Sequence, residues 1–239
     1  MRINRFLASC GLGSRRNVES LIDEKRVFID GELCLNKATQ VEIGKSIVKV
    51  DDKRVSLSED SDDTWIFNKP AGFLCTREDP QNRKSIYEFL SHLPPPYQAV
   101  GRLDKNTRGL LLITKDGELS NFLMHPRYEI KKRYEVRVNG NWKPSFSEKL
   151  QKGVQMKEGG SGRMKVLEET KLREGLFHLI LELKEGKKRE IRYSLEALHL
   201  KVVDLQRTHI EFLNIKGLKE GQSRALNDNE LKKLEELKI

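Results

Sequence analysis

Apolar residues at positions 3, 6 and 7 fall at helical spacing across residues 2–9, and Gly11 and Gly13 close that segment. Ser14 is placed to cap a second helix, whose buried stripe would be Val18, Leu21 and Ile22. Short extended runs follow at 27–29 and 47–50, the first ending on the turn pair Asp30-Gly31. The pattern then lapses. Residues 56–63 read SLSEDSDD, with four acids and no base, and have the composition of a linker.

Apolar positions resume at residue 64. Strands are expected at 65–67 and 74–76, with a turn carrying Lys69 at 68–72 and a short helix at 85–90 ahead of the triple proline 94–96. Residues 101–118 read GRLDKNTRGLLLITKDGE, a polar turn at 102–109 between the apolar segments 99–100 and 110–113. The run 110–113 is too short for a helix of its own and reads as a buried strand. Residues 118–124 are expected to be helical and to stop at His125-Pro126. The segment 132–138 alternates, which puts Tyr134, Val136 and Val138 on one face of a strand. Further helices are expected at 145–152, at 190–200 and near Leu231 and Leu234 behind an Asn227 cap, and further strands at 164–166, 177–183 and 202–205. Strands and helices that do not strictly alternate imply an α+β fold with a largely antiparallel mixed sheet and flanking helices. The expected organisation is a small helical and strand domain at 1–55, the acidic linker 56–63 and a larger domain at 64–239.

Charge changes this picture by pointing to a partner. The 239 residues carry 45 Lys and Arg against 36 Asp and Glu, a net charge of +9. That excess favours a polyanion, with nucleic acid ahead of membrane. Arg2, Arg5, Arg15, Arg16, Lys25 and Arg26 lie on or beside the first two helices, opposed there by Glu19, Asp23 and Glu24. No apolar run approaches the roughly 18–20 residues of a membrane span, and the first residues lack the apolar core of a leader, so a cytoplasmic protein is expected. Cys10, Cys34 and Cys75 form no paired motif, and the five histidines show no metal-ligand spacing. No metal and no cofactor is expected, which leaves any chemistry to side chains. On local pattern, Asp104 and Asn106 suit turn hydrogen bonding as well as catalysis.

The first of these pieces, FLASCGLGSRRNVESLIDEKRVFIDGE, resembles the alpha-L RNA-binding motif first named from a small-subunit ribosomal protein. Three further pieces, the Asp104 loop, Tyr134 on its strand and Lys187 to Arg192 ahead of a helix, look together like the motif set of the RsuA-type pseudouridine synthases, which modify ribosomal RNA. The likeness runs through Asn68-Lys69-Pro70-Ala71-Gly72, GRLDKNTRGLLLITKDGELSNFLMHP, Lys132-Arg133-Tyr134, Arg189-Glu190-Ile191-Arg192 and Leu205-Gln206-Arg207-Thr208, and so covers nearly the whole chain. It implies that Asp104 is the catalytic carboxylate, that Arg192 pairs with it, that Tyr134 stacks on the extracted uracil and that Leu205 walls the other side. It further implies phosphate contacts from Lys69, Arg102, Arg108, Lys187, Lys188 and Arg189. The implied partner is ribosomal RNA or a pre-ribosomal particle bound by a monomer, with the large subunit favoured over the small one. A non-catalytic RNA-binding assembly factor is the alternative. The sequence departs from the family pattern at Tyr193, where a second arginine is common, at Leu198-His199-Leu200 and at Thr208-His209-Ile210-Glu211.

Overall fold

In the computed structural model, which describes residues 1–57 and 64–238, the chain forms two compact units. Most of the expected linker, residues 58–63, lies outside the described residues. One unit comprises Met1–Asp63 with Ser91–Gln98 and Thr114–Asp116, and the other Thr64–Leu90, Ala99–Ile113 and Gly117–Ile239.

The first unit opens with α1 (Ile3–Ser9) and α2 (Asn17–Asp23), followed by β1 (Val27–Ile29), β2 (Glu32–Leu33), β3 (Val48–Val50) and β4 (Lys53–Val55). The strands form an antiparallel sheet in the order β2-β1-β3-β4. Ile3, Phe6 and Leu7 of α1 meet Val18 and Ile22 of α2 and Val27, Val48 and Val50 of the sheet, so the helical and alternating patterns close one small core. Leu21 is only partly buried against it. Regular helix begins later than Ser14: the Ser14 hydroxyl accepts from the Asn17 N–H at 3.2 Å and its carbonyl from the Val18 N–H at 2.9 Å. Ser14 therefore starts the entering turn, and α2 proper starts three residues on. Asp30 and Gly31 both take positive φ, 51° and 91°, as a two-residue hairpin turn requires.

The second unit carries β5 (Trp65–Lys69), β7 (Arg108–Thr114) up to Ile113, α3 (Gly117–Met124), β8 (Lys132–Asn139) and α4 (Ser145–Lys152), and the short β6 (Gln98–Ala99) precedes β7. A small hairpin, β9 (Val154–Gln155) and β10 (Ser161–Gly162), leads to β11 (Lys165–Arg173), β12 (Leu176–Leu183), α5 (Glu190–Ala197) and β13 (Lys201–Ile210). The chain ends on β14 (Leu213–Asn214), β15 (Ser223–Ala225) and α6 (Asp228–Glu236). Strand order in the large sheet is β11-β12-β8-β13-β7-β5-β15, with β14 on β13 and β6 on β7. The fold is the expected α+β arrangement with a mixed, largely antiparallel sheet. The parallel seam joins β13 to β7 through Gln206↔Arg108 and Arg207↔Gly109. Gly109 has φ 110°, and a Cβ there would lie 2.2 Å from the Arg207 carbonyl oxygen, so only glycine admits this close approach.

One core packs Val136, Val138, Leu179 and Leu181 of the sheet against Trp142, Phe146 and Leu150 and against Ile191 and Leu195 of α5. The other packs Ile66, Leu110 and Leu112 against Leu119, Phe122 and Leu123 of α3 and Leu234 of α6. Leu110 to Ile113 are all fully buried, which is why this strand reads as a continuous apolar run.

Several boundaries differ from the sequence pattern. Residues 74–76 form no strand; Leu74 makes an isolated bridge to Ser85. Lys69 ends strand β5 and does not sit in the following turn. β11 reaches Arg173 and β13 reaches Ile210, well past 166 and 205, because backbone pairing with β12 and with β8 extends them through mixed polar sequence. α5 stops at Ala197, since His199 turns to φ 61° and the Leu200 N–H returns to the Leu195 carbonyl at 2.9 Å, a Schellman-type stop. Among the described residues no helix is long and apolar enough to cross a membrane.

Candidate active site

The polar turn ahead of β7 and the start of α5 ahead of β13 meet, and this meeting builds the site. Leu103 is buried in the same core as Tyr134, Leu205 and Ile191, so the residue that follows it, Asp104, stands at the rim of that core. Tyr134 and Leu205 are 8% and 4% exposed, on paired strands β8 and β13. The Asp104 side chain retains 33% exposure.

The loop backbone is held from below by Lys69. This lysine is fully buried, and its ammonium donates to the carbonyls of Pro70 (3.0 Å), Asp104 (3.3 Å), Lys105 (3.2 Å) and Thr107 (2.8 Å). Burial lowers its pKa from the ordinary lysine value, an effect partly offset by Cys75, Asp104 and Glu220. Past Pro70, the Gly72 N–H donates to the Lys105 carbonyl at 2.7 Å. Leu103 is held on both sides by Cys75, whose sulfur accepts from the Leu103 N–H and donates to its carbonyl, each at 3.5 Å. The Thr107 N–H closes the turn on the Asp104 carbonyl at 3.0 Å. Each of these contacts is to loop backbone, and none engages the Asp104 carboxylate.

Two arginines from the α5 region reach the loop. The Arg192 Nη2 donates to the Asn106 carbonyl at 3.0 Å and lies 3.4 Å from the Thr107 hydroxyl. Its pKa is lowered by burial first and by Arg189 second. Among the described residues the guanidinium within ion-pair distance of Asp104 is that of Arg189, at 4.0 Å; Arg192, which the resemblance pairs with Asp104, feels its charge from beyond that distance. With both partners one-third or more exposed, such a pair contributes at most about 1 kcal/mol to stability.

The remaining basic residues divide. Lys69 is a loop brace rather than a phosphate ligand, because its ammonium is buried among carbonyls. Arg108 grips Asp204 of β13 with two bonds, 3.0 and 2.7 Å, and Glu220 with a third at 3.2 Å, which staples the parallel seam. Lys187 pairs with Glu185 and with the Ser161 carbonyl, and Lys188 with Glu158. In the first unit, Arg26 is forked onto Asp51 and also bonds Glu24, leaving Arg2, Lys25, Arg15 and Arg16 exposed there, with Arg5 partly buried. Arg102 is exposed in the Asp104 loop itself.

Four supporting residues were not singled out by sequence reasoning: Cys75, Thr107, Glu190 and Arg207. Glu190 is 4% exposed, and its carboxylate accepts from the Lys187 and Arg163 backbone N–H groups at 3.0 and 3.1 Å, fixing the approach to α5. Arg207 donates its Nε to the Leu110 carbonyl at 2.7 Å where the seam opens. Lys132, on the Tyr134 face of β8, has its pKa lowered to about 8 by burial and by Arg207. Charging it therefore costs folding free energy at neutral pH, and that cost disappears as pH rises from about 8 to the unfolded value near 10.5. The stability gap in favour of Lys132→Met over the wild type is expected to close across that window in urea titrations. Parallel stability curves would contradict it.

The family model described as RNA pseudouridylate synthase matches residues 63–197, and the S4 domain model matches residues 1–47. The chain is 34% identical to the ribosomal large subunit pseudouridine synthase B of Bacillus subtilis (strain 168), over 99% of this chain and 96% of that protein. It is 35% identical to an uncharacterized RNA pseudouridine synthase of Aquifex aeolicus (strain VF5), over 98% and 93%. A solved pseudouridylate synthase superposes with a TM-score of 0.67 at 25% identity, covering 98% of this chain and 99% of that one.

Proposed function

This chain belongs to the RNA pseudouridylate synthase family and is an RNA pseudouridine synthase, an isomerase; we propose that its substrate is one uridine of large-subunit ribosomal RNA and that Asp104 is the reacting carboxylate. The observation that carries the assignment is the division of labour in the loop. Lys69, Gly72 and Cys75 hold its backbone, while the Asp104 carboxylate has the Arg189 guanidinium at 4.0 Å and acts electrostatically on Arg192 as well.

The reaction is an internal exchange. The bond from ribose C1′ to uracil N1 breaks, a bond from C1′ to uracil C5 forms, and the C5 proton leaves as N1 gains one. A fixed carboxylate can attack substrate or take up charge and protons while the base turns. Tyr134 and Leu205 supply an apolar floor on which a flipped pyrimidine can stack. Arg189 orients the carboxylate, and Arg192 holds the loop that bears it. The large-subunit assignment is supported by likeness, over nearly the full chain, to proteins named for that subunit.

Mapping pseudouridines in ribosomal RNA from cells with and without the gene tests the reading. One large-subunit site should vanish on deletion and return with the native gene; an unchanged map would refute it. The first unit is proposed to grip RNA phosphates through Arg2, Arg5, Arg15, Arg16 and Lys25, with Arg26 held by acids and contributing less. Arg15→Glu with Arg16→Glu should reduce the slope of log affinity against log salt by about 2, with the second unit's stability unchanged. An unaltered slope would remove this face from the RNA-binding surface.

A further inference from the structure

The hairpin of β9 and β10 has no part in the scheme above, yet it is tied along α5 by a series of contacts. Lys157 pairs with Glu196 at 2.9 Å, the Lys187 ammonium donates to the Ser161 carbonyl at 2.9 Å, and the Arg163 N–H donates to Glu190. At the tip, the Glu158 carboxylate accepts from the Tyr193 hydroxyl and pairs with Lys188 at 3.2 Å. The Tyr193 ring in turn lies under the Arg189 guanidinium, 5.2 Å from carbon to ring centroid. Arg189 is the cation 4.0 Å from Asp104. Glu158, Tyr193, Arg189 and Asp104 thus form one unbroken line of contacts from hairpin tip to carboxylate.

The backbone at Arg189 is itself constrained. Its φ is 53°, left-handed, a conformation an arginine holds only where its surroundings over-determine it. Glu190 fixes the preceding turn through the Lys187 N–H. A long, 40% exposed arginine would otherwise sample many rotamers, and the ring face beneath it restricts that freedom.

We propose that Tyr193 is a positioning residue for the reaction: anchored by Glu158, its ring holds the Arg189 guanidinium against Asp104. The inference rests on the reading of Asp104 as the reacting carboxylate. It assigns the β9–β10 hairpin a role in setting turnover, with no contact of its own to the base.

The test is steady-state kinetics of pseudouridine formation on a large-subunit ribosomal RNA fragment. The wild type is measured first, because its inactivity on every ribosomal fragment would refute the functional reading and not this one. Given an active wild type, Tyr193→Leu should lower kcat about tenfold with KM changed less than about twofold. Tyr193→Phe, which keeps the ring, should lose less than Tyr193→Leu, and Glu158→Gln should resemble Tyr193→Phe. On an Arg189→Gln background, Tyr193→Leu should have no further effect, since the group it positions is gone. An equal loss in both backgrounds, or a rise in KM with kcat unchanged, would overturn the proposal and make Tyr193 a hairpin tether or an RNA contact. If Tyr193→Leu fails to fold, the same cycle with Tyr193→Phe and Glu158→Gln decides by the same criterion.

Discussion

Asp104→Asn is expected to lower the rate of pseudouridine formation by at least about 10³-fold while RNA affinity changes by less than about threefold. The amide is nearly isosteric, and the loop that carries it is held through backbone carbonyls and N–H groups that the substitution does not touch. What disappears is the negative charge, and with it both the nucleophilic or proton-accepting capacity and the attraction to Arg189. Because the Asp104 side chain is partly exposed and its ion pair adds little to stability, the variant should melt within about 1 kcal/mol of the wild type. A variant with near-normal turnover would place the reacting carboxylate elsewhere. One with lost affinity and intact turnover would make Asp104 a binding group.

The second large effect is expected at Lys69. Lys69→Met keeps the stem and deletes an ammonium that bridges four carbonyls. Two terms oppose each other. Removing a buried charge relieves its desolvation, the effect that already lowers the lysine pKa. Losing charged hydrogen bonds of about 1.5–3 kcal/mol each, and leaving carbonyls without a donor, outweighs that relief and gives a net loss of about 2–3 kcal/mol. Turnover should fall at least about 100-fold, since a shift of the loop by even an ångström misplaces Asp104. The measurements that decide are urea denaturation and the salt dependence of RNA binding. A phosphate ligand at this position would leave stability alone and flatten the salt slope by about 1. A brace lowers stability and leaves the slope unchanged.

Lys69 also shows where sequence reading runs out. In the pattern it is a lysine beside proline and glycine, which reads as an exposed turn. In three dimensions β5 continues through it, because its backbone pairs with Gly109, and the side chain is drawn beneath the loop that leads into β7, a neighbour in the sheet that lies far along the chain. The same logic applies at the arginines. Arg189 and Arg192 both stand at the start of α5, and their order along the chain does not reveal which one faces the carboxylate. The left-handed backbone at Arg189 and the Asn106 carbonyl within reach of Arg192 decide it. Arg108 reads as another basic residue of the polar turn, yet Asp204 and Glu220, about a hundred residues away, turn it into a staple.

Local periodicity by itself determined several of the elements of this protein. The alternation through Tyr134, Val136 and Val138, the helical stripes of α1 and α4 and the buried run at 110–113 each follow from which side chains leave water. The charge pattern likewise announced a polyanion, and the fold class followed from the order of elements. The tertiary structure alone decided which cations face the carboxylate and which are consumed in bracing it. Burial and hydrogen bonding to distant backbone carbonyls depend on strand pairings separated by tens of residues, and no local pattern encodes those pairings.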